Sequence, residues 1–324
     1  MRIFSKHIFV CSFLIVILIA NTFSQLQNAS SIGGLPGAPM RMGFGARGIA
    51  MGNALTAVIS GDLQSYYNPA SVTFQSVPTG IAGYGVLSLD RRLNYLSYTK
   101  SLKPNAGLSL SIINAGVGNI DGRNRDGIHT ETYSTSENAF MFSFGLKPNS
   151  RFAFGVTAKV YYYSLFEKLK STTMALDFGA ILILSQEITA GFVIQDVNAK
   201  YKWDTTPLYG INGNSTVDKF PLRKRFGLSW TPSEYSFIIS SEFESIGSAS
   251  FFRIGSEINV YDGVSIRGGI DQIALDVDMP AKPALGLSFQ TNLENWAPSF
   301  QYTYVFEPYS PGGIHILSLS VRLK

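Results

Sequence analysis

The sequence predicts an all-β fold: a transmembrane antiparallel β-barrel of about 14 strands with an N-terminal plug segment. Three observations predict it. Apolar residues recur at every second position from about residue 80 to the end. The connections between these segments alternate between short and long. After the first residues no stretch approaches the roughly 18 consecutive apolar residues of a spanning helix, although charged residues make up only 15% of the chain.

The first residues read as a secretory signal. Arg2, Lys6 and His7 precede an apolar run from 8 to 20, and Thr22-Phe23-Ser24 offers small residues at the two positions a signal peptidase inspects. Cleavage is expected near Ser24, giving a signal peptide over 1–24. Cys11, the single cysteine, lies in that run, so the mature chain is expected to hold no disulfide, thiolate metal site or cysteine nucleophile. Removing Arg2 and Lys6 from the 26 basic residues leaves 24 against 22 acidic ones. The charge is nearly balanced and not clustered, which gives no electrostatic case for nucleic acid.

The alternating segments fall near 80–89, 93–100, 106–115, 138–147, 151–163, 172–184, 188–198, 222–231, 235–243, 250–260, 264–271, 283–291, 298–306 and 313–323. In 138–147, Phe140, Phe142, Phe144 and Leu146 share one face, while Met141, Ser143, Gly145 and Lys147 share the other. Short turns on the expected periplasmic side include Lys103-Pro104-Asn105, Pro148-Asn149-Ser150 and Tyr261-Asp262-Gly263; long polar loops on the other side run near 116–137, 199–221 and 272–282. The smaller-residue face carries Lys159, Asp177, Arg253, Glu257, Arg267 and Asp271 in mid-strand. Such charges cost a few kcal/mol each against lipid, so that face is expected to line the lumen and to form a charge network that holds the plug. Trp230, Tyr235, Tyr261 and Trp296 are expected in a periplasmic aromatic belt, and Tyr161-Tyr162-Tyr163 with Tyr304 in an outer one.

Residues 25–79 do not alternate. A glycine-rich stretch from Gly43 to Gly52 is followed by a small-residue run from 53 to 60 and by Tyr66-Tyr67-Asn68-Pro69-Ala70. A barrel of this size is too wide for its own side chains to fill, and a segment able to bring backbone close to the wall suits a plug. The barrel is then expected over 80–324.

The stretch carrying Gly45, Ala46, Arg47, Gly48, Met51 and Gly52, with Asn68, Pro69 and Ala70, resembles the opening of the PorV/PorQ family, itself similar to the FadL-type fatty-acid channels. Weaker matches follow at Ala175 to Ala180, Phe220-Pro221-Leu222, Phe252 to Glu257, Ser265 to Gly269 and His315 to Leu323. The resemblance implies a 14-stranded barrel in which the Asn68-Pro69-Ala70 turn belongs to the plug. It implies a non-enzymatic role associated with type IX-like protein secretion, with translocon components or exported proteins as partners beside outer-membrane lipid. The alternative is a FadL-like channel for a hydrophobic small molecule. It is expected to hold an apolar pocket near Phe44, Met51 and Leu55, with a lateral opening where a strand is interrupted.

Other chemistry is weakly encoded. Gly43, Gly45 and Gly48 match G-x-G-x-x-G, but no βαβ unit surrounds them. His315 with Ser318 or Ser320 is a poor nucleophile and base pair. Asp271, Asp276 and Asp278 lack the ligand spacing of a calcium loop, and in 121–127 Arg123 and Arg125 occupy ligand positions. No enzyme, cofactor or metal is expected.

Overall fold

The computed structural model describes residues 34–233, 236–310 and 312–323. The signal segment with Cys11, Tyr235 of the expected aromatic belt and the final Lys324 lie outside the described residues.

Among the described residues eighteen strands form in order: β1 (Thr79–Val86), β2 (Arg91–Leu102), β3 (Ala106–Val117), β4 (Ile120–Arg123), β5 (His129–Tyr133), β6 (Ser136–Leu146), β7 (Phe152–Phe166), β8 (Leu169–Ile183), β9 (Ile188–Val197), β10 (Lys200–Asp204), β11 (Ser215–Lys219), β12 (Arg223–Trp230), β13 (Phe237–Ile246), β14 (Ala249–Tyr261), β15 (Val264–Ala274), β16 (Lys282–Gln290), β17 (Trp296–Val305) and β18 (Ile314–Leu323). Fourteen of them close an antiparallel barrel in which each pairs with its sequence neighbour in the wall and β18 pairs back with β1. Every alternating segment of the sequence coincides with one barrel strand, its ends within three residues. The pairs β4–β5 and β10–β11 are separate hairpins inside two of the long loops. Sequence alternation missed them because β4, β5 and β11 are exposed almost throughout and so have no apolar face.

The faces are those of a barrel in lipid. On β6, Phe140, Phe142 and Phe144 are between 41% and 50% exposed, whereas Met141 and Ser143 are buried inside. A soluble protein does not turn such a continuous apolar surface to water, so this outer face is built for hydrocarbon. Trp230, Tyr261 and Trp296 sit exposed at the short-turn end. Alternation allows only one of the three consecutive tyrosines to face outward. Tyr162 does, while Tyr161 is buried and packs its ring 5.0 Å from Phe220 inside the barrel mouth.

Two β-bulges matter for the interior. Gln195 and Asp196 together oppose Asp177, and Asp271 and Gln272 together oppose Arg253. Asp196 and Gln272 take positive φ at 63° and 57°. The first bulge turns an extra carboxylate, Asp196, into the lumen beside Gln195; in the second, Asp271 keeps the inward parity of Arg267 and Gln272 is the inserted residue.

Residues 34–78 lie inside the barrel. They comprise a 3-10 turn (Pro39–Arg41), the helix α1 (Gly45–Ala50) and a second 3-10 turn (Pro69–Phe74). The last begins at Asn68, whose side chain accepts a hydrogen bond from the Ala70 amide, with Pro69 pre-set for the first helical position. Asn68 Nδ2 also donates to Thr56 O at 2.8 Å and to Ala180 O at 3.1 Å, tying this turn to the rest of the plug and to the wall.

Where the plug backbone comes nearest to the wall, the wall residues are glycines. Gly107, Gly145, Gly155 and Gly179 pair in register across β3, β6, β7 and β8 and face the turn from Asn68 to Thr73. Farther round, Gly191 meets Thr56, and Gly255 with Gly269 meets Met51 and Gly52. A Cβ at Gly155 would lie 2.5 Å from the Pro69 carbonyl carbon, and one at Gly255 2.2 Å from Met51 O. The plug backbone thus occupies the space of a missing ring of side chains. Gly52 is constrained twice, by φ of +59° and by Ile270 O only 2.6 Å from where a Cβ would stand.

Gly155→Val is therefore expected to lift the plug from the wall, costing about 1–3 kcal/mol as overpacking does. The outward-facing Gly268, where a Cβ meets only Leu285 at 3.6 Å, is the control. Heat-dependent gel migration should show Gly155→Val unfolding at a lower temperature and Gly268→Val near the parent.

Candidate functional site: a plugged lumen between two cavities

The strand ladder sets charges of β7 to β15 side by side on the inner face. Lys159 Nζ lies 2.7 Å from Asp177 and 2.9 Å from Asp196, and Tyr161 donates to Asp196 at 2.6 Å. Gln195 continues the chain, donating to Asp177 at 3.4 Å and accepting from Arg225 Nη2 at 2.6 Å. Arg225 Nη1 reaches Glu242 at 3.3 Å, which also receives Arg253 at 3.2 Å. Arg253 further bonds Glu244 and Asp271, and Arg223 reaches Glu244 at 2.7 Å. The chain ends on the plug, where Asn53 donates to Asp271 at 2.8 Å and the Thr56 amide to Glu242 at 3.2 Å. All of these charged side chains are buried, so each needs its partners.

A second group is centred on the plug. Arg47 of α1 grips Glu257 with two nitrogens at 2.7 and 3.2 Å, and Glu257 also accepts from Arg267 at 2.5 Å. The same guanidinium donates to Ser60 O at 2.9 Å and Asp62 O at 3.3 Å. Asp62 in turn receives Arg322 at 2.7 Å and Gln301 at 2.9 Å from the wall. The six lumen charges read from the sequence therefore divide. Arg253, Asp271, Glu257 and Arg267 reach the plug or its direct partners, while Lys159 and Asp177 act through Gln195, which donates to Tyr66 O at 2.7 Å. Sequence reading missed Arg223, Arg225, Glu242, Glu244, Asp196 and Asp62. The first four were signalled by the same rule, since Arg223-x-Arg225 and Glu242-x-Glu244 alternate with outward Lys224, Phe226 and Phe243.

Of the motif residues, Gly45, Arg47 and Gly48 lie on α1, Met51 and Gly52 follow it, and Asn68, Pro69 and Ala70 open the second 3-10 turn; all are buried in the lumen. Gly48 gives way to Tyr67, whose hydroxyl would lie 2.1 Å from a Cβ there. Phe44, Met51 and Leu55, expected around a pocket, are packed into the plug's apolar core. Open space lies elsewhere. At the long-loop end a cavity of about 560 Å³ has an apolar floor including Ile49, Leu93, Val305 and Ile316, and Arg41, Arg91 and Lys282 among its polar groups. At the short-turn end a vestibule of about 570 Å³ is walled mainly by polar groups, among them Arg47, Asp62, Glu257, Arg267 and Arg322. The β10–β11 hairpin folds over part of the mouth, with the Tyr201 and Phe220 rings edge to face at 4.8 Å and Tyr201 donating to Glu137 at 2.5 Å.

The remaining chemical suggestions dissolve in the geometry. His315 faces outward to Tyr302 at 2.7 Å, whereas Ser318 and Ser320 face inward on the same strand. Asp271 is turned inside to Arg253, away from Asp276, which accepts the Ser250 amide at 2.8 Å. Asp121 is bound by His129 at 2.5 Å and by Arg123 at 2.6 Å; the His129 hydrogen bond, then that of Arg123, holds its carboxyl below the usual range.

Replacing Arg253 by Ala would leave buried Asp271 without its cation, and Glu242 and Glu244 with Arg225 and Arg223 alone. A loss of about 3–5 kcal/mol is expected, as for a broken buried pair. Chemical unfolding in detergent should show it, and Arg253→Lys should recover only part because it lacks the planar fork that serves three carboxylates.

No family model and no curated protein matches the sequence. Solved structures do resemble the fold. The CymD monoaromatic hydrocarbon channel aligns with a TM-score of 0.62 at 13% identity, covering 87% of this chain and 98% of that one. The Pseudomonas putida toluene transporter TodX aligns at 0.59 and 12%, covering 86% and 96%. A Pseudomonas aeruginosa FadL homologue aligns at 0.59 and 10%, covering 86% and 98%. At these identities the likeness establishes architecture, and the chain has the fold of a FadL-like barrel.

Proposed function

We propose that this chain is an outer-membrane channel that admits a hydrophobic small molecule, and that it is not an enzyme. The observation carrying the reading is the apolar-floored cavity at the long-loop end of a plugged 14-stranded barrel. The architecture shared with hydrocarbon channels supports it. The apolar outer face fits a membrane, and the short-turn end corresponds to the periplasm.

The secretion-associated reading of PorV/PorQ type rests on the opening motif. That motif is buried and builds the plug, so it offers no surface to an exported protein or a translocon. The small-molecule reading is therefore the stronger.

The test is uptake of radiolabelled toluene and glucose by cells with a lipopolysaccharide outer membrane, with and without the barrel. Toluene entry several-fold faster with the barrel, and glucose entry unchanged, is the expected outcome. Ile316→Asp, placing a charge on the cavity floor, should reduce the gain. Equal toluene uptake with and without the barrel, together with recovery of a translocon from a pull-down, would return the secretion reading.

A further inference from the structure

The cavity and the vestibule end on opposite sides of the same short helix. Along β16, Ala284 lines the cavity and Ser288 the vestibule, with Gly286 between them facing Ala50 of α1. Along β17, Val305 and Gln301 line the two spaces, with Thr303 between. Four residues of strand span about 13 Å, so on this side the barrier is one short helix thick. On the opposite side the plug backbone lies against the wall glycines of β3 to β9.

We propose that the route through this barrel crosses the plug at α1, along β16 to β18, and that α1 is its gate. The proposal rests on the channel reading only for the identity of the solute; the route itself does not depend on it. The end of α1 around Ala50 packs against Gly269 and Gly286, whereas its first turn is fastened to β17 and β18 by side chains. Ser318 Oγ accepts from the Ala46 amide at 2.8 Å, and Thr303 Oγ1 donates to Ala46 O at 2.7 Å. Below them are the Arg47–Glu257 and Asp62–Arg322 pairs. Arg322 is 30% exposed at the vestibule, so water can replace its bond to Asp62 when the gate moves. The change of lining, from an apolar floor to polar walls, also means a solute passing α1 leaves oily surroundings for wet ones at that step.

A matched pair of substitutions tests the route. Thr303 and Thr189 each donate one hydrogen bond to a plug carbonyl, to Ala46 at 2.7 Å and to Ala57 at 2.6 Å, on opposite sides of the lumen. Thr→Val removes either bond with little change of shape. In planar bilayers with potassium chloride, Thr303→Val combined with Ser318→Ala should raise open probability about tenfold, as expected for losing two hydrogen bonds. Thr189→Val should stay at the parent level. Arg322→Gln, at a site already open to water, should raise openings too and guards against a misfolded double variant. Openings in Thr189→Val equal to those of the α1-side variants would overturn the route. So would closed traces from both α1-side variants. If toluene uptake persists while those traces stay closed, the route fails and the channel reading survives.

Discussion

A barrel of fourteen strands encloses more space than inward side chains can fill, and the rest of this structure follows from how that space is occupied. The wall gives up its side chains in a girdle of glycines, and residues 34–78 supply backbone and apolar bulk in their place. Phe44, Tyr66, Tyr67 and Tyr95 then form a continuous aromatic core between plug and wall, with Phe44 and Tyr95 rings 4.6 Å apart. The interior is a packed core with two openings rather than an aqueous pore.

Charge follows from the same constraint. The inner face cannot be wholly apolar, because the plug brings backbone groups that need partners and the wall must supply them. Glu242 accepting the Thr56 amide, Gln195 donating to Tyr66 O and Thr303 donating to Ala46 O are wall side chains serving plug backbone. The buried arginines and carboxylates are costly to desolvate, and their geometry makes sense as specification of one plug orientation more than as net stabilisation. The bulge in β9 serves this network by placing both Gln195 and Asp196 opposite Asp177.

Much of the fold was legible in the sequence because a lipid-facing wall alternates along nearly the whole of each strand, the bulges aside. Phe140, Phe142 and Phe144 could only be one face, and the strand ends followed. The same parity sets Arg223, Arg225, Glu242 and Glu244 inward and turns only Tyr162 of the three consecutive tyrosines outward. The girdle is invisible to local pattern. Gly145, Gly155 and Gly179 read as ordinary small residues until the register set them side by side, and register is a long-range property that local pattern does not carry. The bulge at Asp196 likewise depends on its neighbours.

The segment from Phe44 to Thr73 is a seated part of the barrel core. Amide hydrogen exchange of the detergent-solubilised protein tests it most directly, because exchange reports the free energy of local opening segment by segment. If the account holds, amides of 64–73 exchange as slowly as those of β7 and β8, and α1 exchanges faster than they do but far slower than the β4–β5 hairpin. Exchange throughout 44–73 as fast as in that exposed hairpin would contradict it.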